Sequence, residues 1–123
     1  MLIDQARFPL IFMRDDVHSD IPATTQLITL LDRDERFVLI SDHSPGDEDD
    51  TTPGERKERA LFFKRNKDRL RKLCAGSIVI EGDKPTPMPI RIAAQTFGKA
   101  FGIGFYFVRD EEEAIEKAKC LLA

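Results

Sequence analysis

Apolar and polar residues alternate in blocks along this chain. The run Phe8-Pro9-Leu10-Ile11-Phe12-Met13 ends in Arg14-Asp15-Asp16 and is too short for a helix, which predicts a first strand. Pro9 lacks an N–H and belongs near the start of that strand or on a sheet edge. Asp20-Ile21-Pro22 opens a helix, with Asp20 as N-cap and Pro22 in the first turn. Ala23, Leu27, Leu30 and Leu31 recur at helical spacing and give one apolar stripe, which ends near Asp34-Glu35. Phe37-Val38-Leu39-Ile40 is apolar throughout, the mark of a strand covered on both faces.

A polar, turn-rich loop follows from Asp42 to Asp50. Thr52 with Glu55 fits a capping box, and Pro53 suits the first helical position. The helix so begun is expected to reach about Ala75. Ala60, Phe63, Leu70, Leu73 and Cys74 mark its buried side, and Gly76 is expected to stop it. The apolar run Ile78-Val79-Ile80 predicts a strand from Ser77 to Glu81. After the proline-containing loop Gly82 to Pro87, a third helix is expected over Ile90 to Lys99, bracketed by Gly98, Gly102 and Gly104. Ile103 to Val108 reads as the fourth strand. Asp110 caps a last helix, Glu111 to Leu122, with Glu111, Glu112 and Glu113 in the turn where the helix dipole favours acids.

The order βαβαβαβα predicts an α/β fold with a central, mainly parallel β-sheet, right-handed crossovers and helices on its faces. The strands Phe37–Ile40, Ser77–Glu81 and Ile103–Val108 are expected side by side. Val38, Ile40, Ile78, Ile80, Phe105 and Phe107 should then be inaccessible.

Composition narrows the class. At 123 residues the chain reads as one domain, 1–123, able to bury a core without metals or disulfides. With 22 acidic and 19 basic residues the net charge is −3, which argues against a nucleic-acid partner. Both cysteines, Cys74 and Cys120, end predicted helices among apolar neighbours and read as reduced, buried thiols. The start Met1-Leu2-Ile3-Asp4 has neither the basic nor the apolar region of a secretory signal. No apolar run approaches the roughly 20 residues of a membrane span, so a cytoplasmic protein without a membrane partner is expected.

Certain residues carry a resemblance. Ile3-Asp4-x-x-Arg7-Phe8-Pro9-Leu10, Glu35-Arg36-Phe37-Val38-Leu39-Ile40-x-Asp42 and Pro53-x-x-Arg56-x-x-x-Ala60 are among them. Leu73-Cys74-Ala75-Gly76-Ser77-Ile78-Val79 and Phe107-x-x-x-Glu111-Glu112-x-Ala114 complete the set. Together they resemble the SpoIIAA-like (STAS/SEC14-related) family of small bacterial proteins, over nearly the whole chain. The resemblance implies a fold similar to bacterial anti-sigma factor antagonists and to lipid-binding SEC14 domains. Lys99 to Gly104 stands where the family carries a proline- and aromatic-rich loop. Anti-sigma factor antagonists present a phosphorylated serine at a helix start. By that resemblance the nearest equivalents are Thr51 and Thr52 in Asp50-Thr51-Thr52-Pro53-Gly54, where capping by Thr52 is the simpler role.

The largest charge asymmetry is the basic helix, with Arg56, Lys57, Arg59, Lys64, Arg65, Lys67, Arg69, Arg71 and Lys72. A solvated helix, partly neutralised by Glu55, Glu58 and Asp68, explains such a run, and so does contact with an acidic partner or another subunit. The candidate interaction residues are Arg56, Arg59, Arg65, Arg69 and Arg71. His18 and His43, with Asp15, Asp16, Asp42 and Asp47, show no ligand pair at helical or hairpin spacing, so no metal is expected. Asp47 to Asp50 lacks the alternation and glycine of an EF-hand loop. Gly98, Gly102 and Gly104 follow a helix and precede a strand, the reverse of a dinucleotide fingerprint. No catalytic motif and no cofactor site is read. The expectation is a non-enzymatic regulatory or protein-interaction module with a regulatory protein partner, as a homodimer. The alternative is a carrier of a small apolar or lipid-like ligand, walled by Phe62, Phe63, Phe97, Phe101, Phe105 and Tyr106.

Overall fold

The computed structural model describes residues 2–14, 19–42 and 53–123, the side chains of residues 23, 55, 56 and 59 excepted. The elements in chain order are β1 (Leu2–Asp4), β2 (Leu10–Arg14), α1 (Ala23–Leu31), β3 (Phe37–Ser41), α2 (Pro53–Arg65), α3 (Lys67–Leu73), β4 (Cys74–Ile80), α4 (Met88–Phe101), β5 (Phe105–Val108) and α5 (Glu111–Leu122). The five strands form one sheet in the order β1-β2-β3-β4-β5. β1 is antiparallel to β2 and every other pair is parallel. This is an α/β architecture with a mixed sheet.

Strand order equal to chain order has a consequence for the helices. Each right-handed crossover from β2 to β5 steps the same way, so the crossing helices share one face. α1 touches α3, and α3 touches α4, while α5 lies across β3, β4 and β5. The core divides accordingly. Ile11, Leu30, Leu31, Phe37, Leu39, Leu70 and Leu73 fill the many-helix side. Phe12, Val38, Ile40, Ile78 and Val108 meet Ala114 and Ala118 of α5 on the other. Both alanines are fully buried, and their small side chains let α5 lie close on the sheet.

Val38, Ile40 and Ile78 are inaccessible, as expected of central strands. Ile80, Phe105 and Phe107 are only half-buried. The reason is position: β5 is an edge strand, and Ile80 stands at the end of β4.

Other boundaries differ from the sequence reading. The predicted long helix is two, broken at Asn66, whose backbone leaves the helical region (φ −109°, ψ 18°) and whose Nδ2 donates to the Phe62 carbonyl at 2.9 Å. Cys74, Ala75 and Gly76 belong to β4 rather than to a helix end. Gly76 stops nothing; a Cβ there would stand 2.9 Å from Leu121 Cδ1 and 3.1 Å from Tyr106 Cε2, so it makes room for side chains crossing the sheet. Asp20 does not cap α1, whose N-cap is Pro22. Asp110 does cap α5, accepting from the Glu113 N–H at 2.9 Å. Cys74 is buried, but Cys120 is exposed on the outer side of α5. Gly102, with φ of 70°, ends α4 in the left-handed conformation. Among the described residues no helix is long and apolar enough to cross a membrane.

Candidate functional site

The basic run is divided by the break at Asn66 into two helices with different surroundings. α3 is anchored by Leu70 and Leu73, both buried. Its basic side chains reach sideways to its neighbours. Arg69 Nη2 meets Asp32 Oδ1 at 2.9 Å, and Lys72 Nζ lies 3.9 Å from Asp34 Oδ1, both just past the C-terminus of α1. The Arg71 stem lies along Gly102, which closes α4; a Cβ on that glycine would meet Arg71 Nε at 2.6 Å. A guanidinium beside a helix C-terminus also complements the helix dipole. Arg69 and Arg71 thus tie α3 to α1 and α4.

α2 is different. Among its described side chains Phe62 is buried and Phe63 half-buried, while the others, Leu61 included, are exposed. Lys57, Lys64 and Arg65, with Lys67 at the start of α3, are exposed. None of the four makes an ion pair among the described residues. Of the candidate interaction residues, Arg65 therefore stands free, while Arg69 and Arg71 are engaged. The Arg56 and Arg59 side chains, Thr51, Thr52, and the Glu55 partner in the capping box lie outside the described residues, as do His18, His43, Asp15, Asp16 and Asp47 to Asp50.

The aromatic residues under α2 stack on one another. Phe63 sits edge-on to Phe62 (5.4 Å between centroids) and Phe97 (5.2 Å), and Phe97 contacts Phe101 (4.5 Å) and Phe105 (5.9 Å). Tyr106 is not part of this group. It lies on the α5 face, with Lys117 Nζ 4.4 Å from its ring centroid. A cleft of about 100 Å³ opens at the carboxyl ends of β2, β3 and β4, also on the α5 face, between Phe12, Ile40, Ile80, Arg14 and Glu111.

Two carboxylates are held below their usual range. The Ala6 N–H and the Arg14 guanidinium bond Asp4 and lower its pKa. Burial acts to raise Glu81, but the Thr86 N–H at 2.9 Å, the Thr86 hydroxyl and Arg91 outweigh it. Arg91 also donates to the Thr86 carbonyl and lies 4.7 Å over the Phe107 ring. These contacts hold the β4–α4 loop shut. Met88 and Ile92, apolar residues one turn apart on α4, are openly exposed and lie outside the surface expected from the sequence. Their i, i+4 spacing within a helical segment was the available signal.

The chain matches no protein-family model, no curated protein and no solved structure.

Proposed function

We propose that this protein is a non-enzymatic regulatory module that binds an acidic protein partner, in the manner its resemblance to SpoIIAA-like (STAS-like) domains implies. The observation that carries the reading is the contrast between α2 and α3. α3 uses its arginines within the molecule. α2 holds an exposed surface on which Lys57, Lys64 and Arg65 make no ion pair among the described residues. Phe62 and Phe63 anchor α2, and the charge retained on its exposed side is suited to steering an oppositely charged partner. Lys67 extends the same charge across the Asn66 break.

Reversing Lys64 and Arg65 to Glu tests the reading. Both positions are exposed and make no ion pair among the described residues, so the fold is expected to persist. The variant should capture the partner more slowly, and what capture remains should lose its salt dependence. Equal recovery of the same proteins by both forms makes α2 a solvated face only.

A further inference from the structure

At each edge of the sheet a glutamine of the neighbouring helix bonds one backbone group. At the β1 edge the Ile3 N–H is taken by Gln26 Oε1 of α1 at 2.7 Å. β5, at the other edge, has the sequence Phe-Tyr-Phe-Val, with no proline, charge or bulge to blunt it. Ser77 N–H donates to the Gly104 carbonyl at 2.9 Å, and Glu81 N–H to that of Val108 at 2.8 Å. Backbone groups alternate in direction along a strand, so Phe105 and Phe107 turn their N–H and C=O away from β4, out of the sheet. Gln95 Nε2 touches the Phe105 carbonyl at 3.1 Å from the solvent side.

That contact also shows which stripe of α4 overhangs the edge. Met88, Ile92 and Gln95 share one helix face, and Met88 and Ile92 are 65% and 59% exposed. α4 returns antiparallel to β5, so the stripe runs along the strand, with Gln95 beside Phe105 and Ile92 toward Phe107. Phe105 points to the helix layer, as does Phe107, which lies under Arg91; Tyr106 points to the α5 face beneath Lys117. Arg109 follows the strand and is exposed. Lys117 and Arg109 make no ion pair among the described residues. The edge is therefore bordered by exposed apolar residues of α4 on one side, and on the other the basic group over the strand is Lys117, with Glu113 one turn before it bonded to the Arg109 N–H at 3.4 Å.

We propose that this edge receives an extended peptide segment of a partner protein as an added strand, with apolar and acidic residues alternating. Phe105 and Phe107 supply the backbone pairing, the exposed Gln95 amide giving way at the Phe105 carbonyl. Side chains of a strand alternate between faces, so every second peptide residue lies along Ile92 and Met88 and the ones between lie beside Lys117. A second copy of this chain is a poorer fit. A two-fold axis at Tyr106 brings the two Lys117 ammonium groups together, and like charges placed opposite on a sheet repel. This surface shares no residue with the free charges of α2 and stands independently of them.

The test uses the whole protein and a labelled synthetic peptide of alternating valine and glutamate, read by fluorescence anisotropy and amide NMR. Saturable binding that weakens with salt and shifts the Phe105 and Phe107 amide signals is expected. Ile92→Asp, at an exposed position, and Lys117→Glu should each weaken binding about tenfold or more. N-methylating two edge-facing peptide amides should cost about tenfold through two lost hydrogen bonds, while methylating the alternate set leaves binding unchanged. The Lys64→Glu/Arg65→Glu variant should bind the peptide normally, which separates this edge from α2. No binding, equal binding by the two methylated peptides, indifference to Ile92→Asp, or self-association of the protein through β5 overturns the proposal.

Discussion

Cys74 and Cys120 have opposite surroundings. Burial pushes the Cys74 thiol up to about 12, against smaller opposing hydrogen bonds at Gly76 and Leu39. Thiol reactivity belongs to the thiolate, so Cys74 is inert near neutral pH. A disulfide reagent should modify Cys120 at once in the native protein and Cys74 only after unfolding; two equally fast thiols would remove Cys74 from the core. Glu81, like Asp4, contributes to the pH dependence. Its folded pKa is lowered, so it favours the fold at neutral pH, and this contribution fades as pH falls through the folded value. Glu81→Gln should destabilise the protein at pH 7 and flatten its loss of stability in acid. An unchanged acid profile would mean that the staple to Thr86 and Arg91 contributes nothing. Gly98 answers to packing: a Cβ there would stand 2.3 Å from the Ile103 carbonyl oxygen. Gly98→Ala should cost roughly 1–3 kcal/mol in chemical denaturation, and no loss would show a looser turn after α4.

At the scale of elements, β4 is the centre of the molecule. It pairs with β3 and β5 and lies under α5. Ile78 is completely buried there, and Ile78→Ala should cost roughly 2–5 kcal/mol; a loss below about 1 kcal/mol would make β4 peripheral. β3 and β4 were legible because buried parallel strands read as unbroken apolar runs. β1 was not, since three residues carry no period. The break at Asn66 was hidden inside a run of good helix formers, and it is local hydrogen bonding to Phe62 that marks it. Cys74 to Gly76 followed helical residues in sequence, and pairing with β3 overrode that context. The candidate surface was half legible. Its basic residues are plain in the sequence. Which of them are spent within the fold depends on Asp32, Asp34 and Gly102, which lie in other elements.

The whole molecule has two unequal faces. Among the described residues four helices lie on one side of the sheet and α5 on the other. The helix-rich side carries the free positive charge of α2, in a chain whose net charge is −3. That local excess of charge is what the interaction account rests on, because a field of one sign acts on association before contact. The decisive measurement is the association rate of the captured partner with the wild-type protein and with Lys64→Glu/Arg65→Glu, across a range of salt. The account predicts a wild-type rate that falls steeply with salt and a slower, salt-insensitive rate for the variant, with both proteins unfolding at the same temperature. Equal rates with equal salt dependence would contradict it.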